Sequence, residues 1–215
     1  MNMLKINPDN PEPDLLNKAA DVILNNGIIG YPTETVYGLG ANALSDAAVE
    51  KVFELKGREK NKPILIIASE LDQVKKLVAS FPAQAENLAN AFWPGALTMV
   101  LEAAPQLSKL LLGGGNHIGI RIPASQICLE LIKLCGVPIT STSANIAGKE
   151  NPITAEEVFE FFGSKLDLII DGGTLPSRVP STVIAFEDNN FKILREGAIP
   201  YSKIQHVIGR FRYER

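Results

Sequence analysis

Amphipathic helical patterns and short apolar runs follow one another along the first two thirds of this chain. "PDLLNKAADVILNNG" leads into "IIGY", "SDAAVEKVFELKG" into "PILIIA", "FPAQAENLANAFWPG" into "ALTMVLEA", and "SQICLELIKLCG" into "VPIT". Each helix pattern has one apolar face, and each run is too short to stand alone, so the strands must gather into a sheet that the helices cover. Residues with capping chemistry sit at the expected ends: Ser45 or Asp46 opens the second helix, Ser69 the "ELDQVKKLVA" helix, and Thr154 with Glu157 has capping-box spacing. Gly27 and Gly57 stand where helices should stop, and Pro94-Gly95 breaks another. "HIGIRIP" reads as a further strand, and "GVPITSTSAN" as a strand running into a polar loop. The end of the chain is rich in strands, "LDLIIDGG", "STVIAFE" and "FKILREG", with "EDNN" as a hairpin turn. The expected fold is therefore α/β, a single compound domain built on a mixed sheet with helices packed on it, not a simple doubly wound one.

Composition narrows the function classes. A hydrophobic content of 46% in 215 residues supports a real core and excludes a disordered chain. No apolar run reaches the roughly 18–20 residues that span a bilayer, and "MNMLKINPDNPEPD" has no secretory pattern, which points to the cytosol. Cys128 and Cys135 lie seven apart in a helical pattern, too distant for a disulfide, and read as buried thiols. With only two histidines, His117 and His206, no His/Cys metal cluster is expected. The net charge of −3 removes the global electrostatic argument for nucleic-acid binding.

Against that acidic balance, "LKGREKNKP" is a local excess of cations, with Lys56, Arg58, Lys60 and Lys62 on alternate positions. An extended segment would turn all four to one side, either as a charged strand edge or as a phosphate cradle. "YPTETVYGLG" gathers Thr33, Thr35, Tyr37, Gly38 and Gly40 beyond a buried strand, where a small ligand could approach the backbone. "PITSTSANIAGKENP" packs Thr140, Ser141, Thr142, Ser143 and Asn145 into six positions, a hydrogen-bonding surface suited to oxyanions. It is neither a P-loop nor a serine nucleophile elbow. Arg121 interrupts the apolar "IGIRIP", so it needs either an internal acidic partner or a ligand carboxylate. Ser181, Thr182 and Arg195 sit at strand edges. Cations and hydroxyls without an evident general base point to an anionic small molecule, with catalysis by positioning and charge stabilisation.

Seven motifs in order, "YPTETVYGLG", "KGREKNKPILI", "FWPGALTMVL", "IGIRIP", "TSTSAN", "PSTVI" and "ILREG", resemble the YrdC/TsaC family of threonylcarbamoyl-AMP synthases. The resemblance covers about residues 12 to 200. It implies an N-terminal extension over 1–11, a catalytic domain over 12–200 and a tail over 201–215, the short form without the Sua-type C-terminal domain. It implies a twisted open sheet around a basic concave cavity. The implied reaction joins L-threonine and bicarbonate (or carbon dioxide) to AMP from ATP, releasing pyrophosphate, for the N6-threonylcarbamoyladenosine modification of tRNA. Magnesium would come with ATP; a threonylcarbamoyl transferase complex would follow, and direct tRNA contact is left open. By position, the signature falls on Lys56, Arg58, Ser143 and Asn145 as catalytic residues. Arg58, Lys62, His117, Ser143, Asn151 and Arg195 would surround the nucleotide, and Thr35, Tyr37, Arg121, Ser141 and Ser181 the threonine. Lys60 matches no family contact and is left as a solvated charge. Ile67 replaces a histidine of longer relatives, which leaves one side-chain contact to threonine in doubt. The alternative is an RNA-binding YrdC/YciO-like module that forms no threonine-dependent adenylate.

Overall fold

Three helices start where a hydroxyl accepts the first free N–H: Ser45 from Ala48, Ser125 from Cys128, and Thr154 from Glu157. Two end at a left-handed glycine, Gly57 (φ 55°) and Gly136 (φ 67°). Ser69 does not take the expected cap: the third helix starts one residue later, after Glu70, with no side-chain cap. The computed structural model describes residues 2–187 and 190–211.

In chain order the elements are β1 Met3–Lys5, α1 Pro13–Leu24, β2 Ile29–Pro32, β3 Tyr37–Gly40, α2 Asp46–Lys56, β4 Ile66–Ile67, α3 Leu71–Leu77 and α4 Ala83–Phe92. They continue with β5 Leu97–Glu102, β6 His117–Arg121, α5 Gln126–Cys135, β7 Ile139–Thr140, β8 Thr142–Ser143, α6 Ala155–Phe162, β9 Leu168–Asp171, β10 Thr182–Glu187, β11 Asn190–Arg195 and α7 Tyr201–Phe211. The mixed sheet resolves into two. One runs β1-β9-β2-β3-β8 and the other β11-β10-β5-β6-β4-β7, each with parallel and antiparallel neighbours. The final hairpin is present as the antiparallel β10/β11 pair; the central turn residues of "EDNN", 188–189, lie outside the described residues.

"ITSTS" is the stitch between the sheets, not a strand fading into a loop. Thr140 in β7 pairs with Ile66 of the second sheet, whereas Thr142 in β8 pairs with Leu39 of the first. Ser141, the residue between, donates its N–H to Leu65. The buried Thr140 hydroxyl ties the junction by donating to the Leu39 carbonyl (2.9 Å) and accepting from the Ala41 N–H (3.0 Å).

The first and last described elements pack on this body. Within residues 1–11, β1 pairs in parallel with β9, Met3 opposite Ile169. α7 packs on α4 and buries Ile204 and Ile208, so the 201–215 segment is a packed helix as far as Phe211; residues 212–215 lie outside the described residues. Burial of such side chains contributes on the order of 1.5–3 kcal/mol each. Elsewhere α1 sets Leu16, Ala19, Ala20 and Ile23 on one face against α5 and β2, at helical spacing. Cys128 and Cys135 are buried free thiols in that same core, and burial pushes both up to about 12.

Candidate active site

The two sheets and the stitch between them enclose a cavity of about 350 Å³. Its floor includes the backbone of Gly119 in β6, where a Cβ would lie 2.2 Å from a Leu65 methyl. A side chain there would have to displace Leu65, another lining residue. Three arginines from separate parts of the chain face the space, Arg58, Arg121 and Arg195, with hydroxyls from Thr33, Thr35, Thr98, Ser141, Ser143 and Ser181 between them.

Arg58 follows Gly57. Its backbone N–H returns to the Phe53 carbonyl, and its guanidinium donates to the carbonyls of Lys62 (3.3 Å) and Pro63 (2.9 Å). That grip fixes the turn 58–63 and leaves the half-buried charge at the cavity wall, its pKa lowered by burial. On the opposite side Arg195 donates to the Ser181 carbonyl from Nε (3.1 Å) and Nη2 (2.9 Å), and to Ser181 Oγ (3.2 Å). Its pKa too is lowered, first by burial and then by the charge of Arg121. Ser181 Oγ in turn lies 2.8 Å from Thr98 Oγ1, so this wall is a connected set of donors.

Arg121 ends β6 in the interior, only 4% exposed. Its internal partner is Glu34, at 2.8 Å from Nη1, and the same nitrogen approaches Thr35 Oγ1 at 3.4 Å. Asn151, also at the wall, is held from behind: its amide donates to the Arg178 carbonyl and its own carbonyl accepts from Arg178 Nη1. Arg178 donates to both oxygens of Glu157. Those bonds come first among the causes that pull Glu157 down to about 2.

Several residues expected at the site stand behind or beside it. The alternate cations are not on an extended edge. Lys56 is the last residue of α2, and the left-handed Gly57 reverses the chain before Arg58. Lys56 therefore turns inward, where Nζ donates to the carbonyls of Ser143 (2.8 Å) and Asn145 and to Asn145 Oδ1 (3.1 Å). Burial, and then the neighbouring Arg58, lower its pKa to about 8. Asn145 sits in that clamp, accepting from Ser143 Oγ (2.8 Å) and donating to the Lys149 carbonyl (2.6 Å). Lys62 is exposed beside Glu59 and lies off the cavity lining. Lys60 is exposed as expected, paired with Glu50. Tyr37 is buried; its hydroxyl donates to the Gly173 carbonyl and accepts from the Gly172 N–H, and burial raises its pKa. His117 lines the cavity from an exposed position, and Ile67 lines it too. Thr98 and Glu34 escaped the sequence reading. A lone hydroxyl in the apolar "ALTMV" is the kind of signal that marked Arg121, and Glu34 lies inside a motif already singled out.

Two mixed sheets stitched at a seryl-threonyl crossover, with a cavity lined by arginines and hydroxyls, define a family, and the chain belongs to it. This is the Sua5/YciO/YrdC family, described as telomere recombination, whose model matches residues 21–197. The chain is 43% identical over 194 residues to the threonylcarbamoyl-AMP synthase of Pyrococcus abyssi and 39% identical over 193 residues to that of Bacillus subtilis. It is covered to 90% and 89% in these matches, but spans only 57% and 56% of the two relatives. A putative threonylcarbamoyl-AMP synthase of Methanocaldococcus jannaschii is 40% identical, with 85% of each chain covered. Among solved structures, P. abyssi Sua5 complexed with L-threonine superposes with a TM-score of 0.94 at 40% identity, over 97% of this chain and 61% of that one. Escherichia coli YciO superposes with a TM-score of 0.84 at 28% identity, over 92% and 96%.

Proposed function

We propose that the chain makes threonylcarbamoyl-AMP and pyrophosphate from L-threonine, bicarbonate or carbon dioxide, and ATP. The observation that carries this reading is the convergence of Arg58, Arg121 and Arg195 on one hydroxyl-lined cavity, in a fold shared with a threonine-bound relative. The threonine amine and bicarbonate give a carbamate with loss of water (with carbon dioxide, loss of a proton), and a carbamate oxygen attacks the α-phosphate as pyrophosphate leaves. Negative charge builds on the phosphoryl oxygens, and fixed guanidinium and hydroxyl donors stabilise it without reorganising.

In this reading Arg58, Ser143, Asn151 and Arg195 hold the nucleotide, with His117 at its border. Thr35, Arg121, Ser141 and Ser181 hold the threonine, Arg121 meeting its carboxylate. Lys56, Asn145 and Tyr37 act by fixing the backbone around these contacts, and Lys62 stays outside. Among the described residues no group of three or more His, Cys, Asp or Glu side chains could hold a metal. Magnesium would enter this reading with ATP, carried on its phosphates. The product would pass to a threonylcarbamoyl transferase complex acting on tRNA, in the cytoplasm; among the described residues no helix is long and apolar enough to cross a membrane.

Pyrophosphate release from ATP tests the proposal. Release that requires both L-threonine and bicarbonate supports it, and ATP turnover indifferent to threonine overturns it. RNA affinity that falls steeply with salt, with no adenylate formed, would replace it by an RNA-binding role.

A further inference from the structure

Thr98 puts a hydroxyl into the apolar "ALTMV" of β5. Strand alternation decides which way it faces. Leu97 and Met99 are fully buried in the core, while Thr98 and Val100 line the cavity. The neighbouring β10 runs parallel to β5 and pairs Val183 with Thr98; Ser181 and Val183 line the same space. A β-branched side chain has few rotamers, and both branches of Thr98 are placed. Its methyl lies 3.5 Å from where a Cβ on Gly119 would stand, beside the cavity floor, and its Oγ1 lies 2.8 Å from Ser181 Oγ.

A count of protons gives that contact a direction. Arg195 can only donate, and its Nη2 gives one hydrogen bond to Ser181 Oγ at 3.2 Å. The two hydroxyls share one more bond, so one of their two protons has no acceptor among the described residues. If Ser181 were the donor, the spare proton would be on Thr98, which is 2% exposed. With Thr98 as donor it is on Ser181, which is 6% exposed and sits against Arg195. A buried donor costs most where nothing can reach it, so the spare proton belongs on Ser181. Ser181 Oγ then accepts twice, from Arg195 and from Thr98, and can meet a ligand only as a donor. With Arg121 and Arg195 facing the same space, the oxygen it meets is an anionic one.

We propose that Thr98 is a positioning residue, which makes Ser181 a fixed donor to an anionic oxygen of the amino-acid substrate or of its carbamate. The proposal rests on the reading that this cavity forms threonylcarbamoyl-AMP. Thr98 acts through Ser181: it holds that hydroxyl with its proton turned inward before the ligand arrives, so the donor need not reorient during the reaction.

A double-mutant cycle on threonine-dependent pyrophosphate release tests this. Thr98→Val keeps the shape and removes the donor, and kcat/KM should fall by about tenfold, the factor for one hydrogen bond. Thr98→Ser restores the donor and should recover most of that loss; Thr98→Ala, which also lacks the methyl but has no hydroxyl, should not. In Thr98→Val/Ser181→Ala the rate should lie within about twofold of Ser181→Ala alone, because no hydroxyl is left for Thr98 to direct. Losses that multiply in the double variant overturn the proposal. So does a folded Thr98→Ser as slow as Thr98→Ala, or a folded Thr98→Val with the wild-type kcat/KM. NMR titration with L-threonine alone locates the accepted oxygen. Weaker binding to Thr98→Val places it on the amino-acid carboxylate, and unchanged binding with a lowered kcat places it on the carbamate. A wild type without threonine-dependent release removes the functional reading and this proposal with it; normal wild-type release with multiplied losses removes the Thr98 proposal alone.

Discussion

Lys56 and Arg58 stand two positions apart in one basic run, yet the fold gives them opposite tasks. Lys56 closes a helix and places its ammonium on the oxygens of Ser143 and Asn145, holding the segment that carries the Ser141 and Ser143 hydroxyls. Arg58 comes after the Gly57 reversal, braces its own turn and keeps its charge at the cavity wall. One cation positions backbone, while the other is the one the proposed reading sets against a phosphate. The contrast teaches that a count of positive charges does not measure a phosphate site; the direction of the chain at each residue does.

Breaking the outward member should have the largest effect. Arg58→Ala is expected to lose about 2–4 kcal/mol of transition-state stabilisation, read as a fall in kcat/KM larger than the stability lost with its two hydrogen bonds to the Lys62 and Pro63 carbonyls. Lys62→Ala, an exposed position beside Glu59, should leave the rate near that of the wild type. Equal losses for the two variants would erase the distinction between them.

Breaking the inward member should act on stability first. Lys56→Met strands the acceptors at Ser143 and Asn145, and urea unfolding should show a loss of about 1–2 kcal/mol. A variant of unchanged stability with abolished catalysis would return Lys56 to the chemical site. The reversal between the two can be probed at Gly57, where a Cβ meets nothing within 4 Å, so the cost of Gly57→Ala is conformational alone. About 1 kcal/mol is expected for a left-handed alanine. A neutral substitution would mean that the turn is not held at positive φ.

The smallest effect concerns the far wall, where Arg178 and Glu157 stand behind Asn151. The folded chain holds Glu157 at about 2, below its ordinary 4.5, so the unfolded state binds this proton more readily as acid is added. The Glu157 contribution is fully present above about pH 4.5 and is lost as pH falls through about 2. In Glu157→Gln the part of the acid-side slope due to this group should vanish from thermal melts taken across that window; an unchanged slope would assign it to other carboxylates.

Local chemistry announced the caps at Ser45 and Thr154, the stop at Gly57 and the polar character of "TSTSAN", because each depends on neighbours within a helical turn or less. The pairings of β1 with β9, and of β7 and β8 with different sheets, join segments far apart and leave no trace in a short window. The alternation of Lys56, Arg58, Lys60 and Lys62 misled for a physical reason. A period of two marks an extended edge only where the backbone is extended, and Gly57 carries the information that it is not. Arg121 showed that a charge in an apolar strand needs a partner, but Glu34 lies 87 residues away and only the fold brings the two together.

A structure of the protein with L-threonine and a non-hydrolysable ATP analogue tests the central claim most directly. The account predicts Arg58 within hydrogen-bond distance of a phosphate oxygen and Arg121 on the amino-acid carboxylate, while Lys56 stays on the oxygens of Ser143 and Asn145. Lys56 on the phosphates with Arg58 turned to solvent, or both ligands bound away from this cavity, would contradict it.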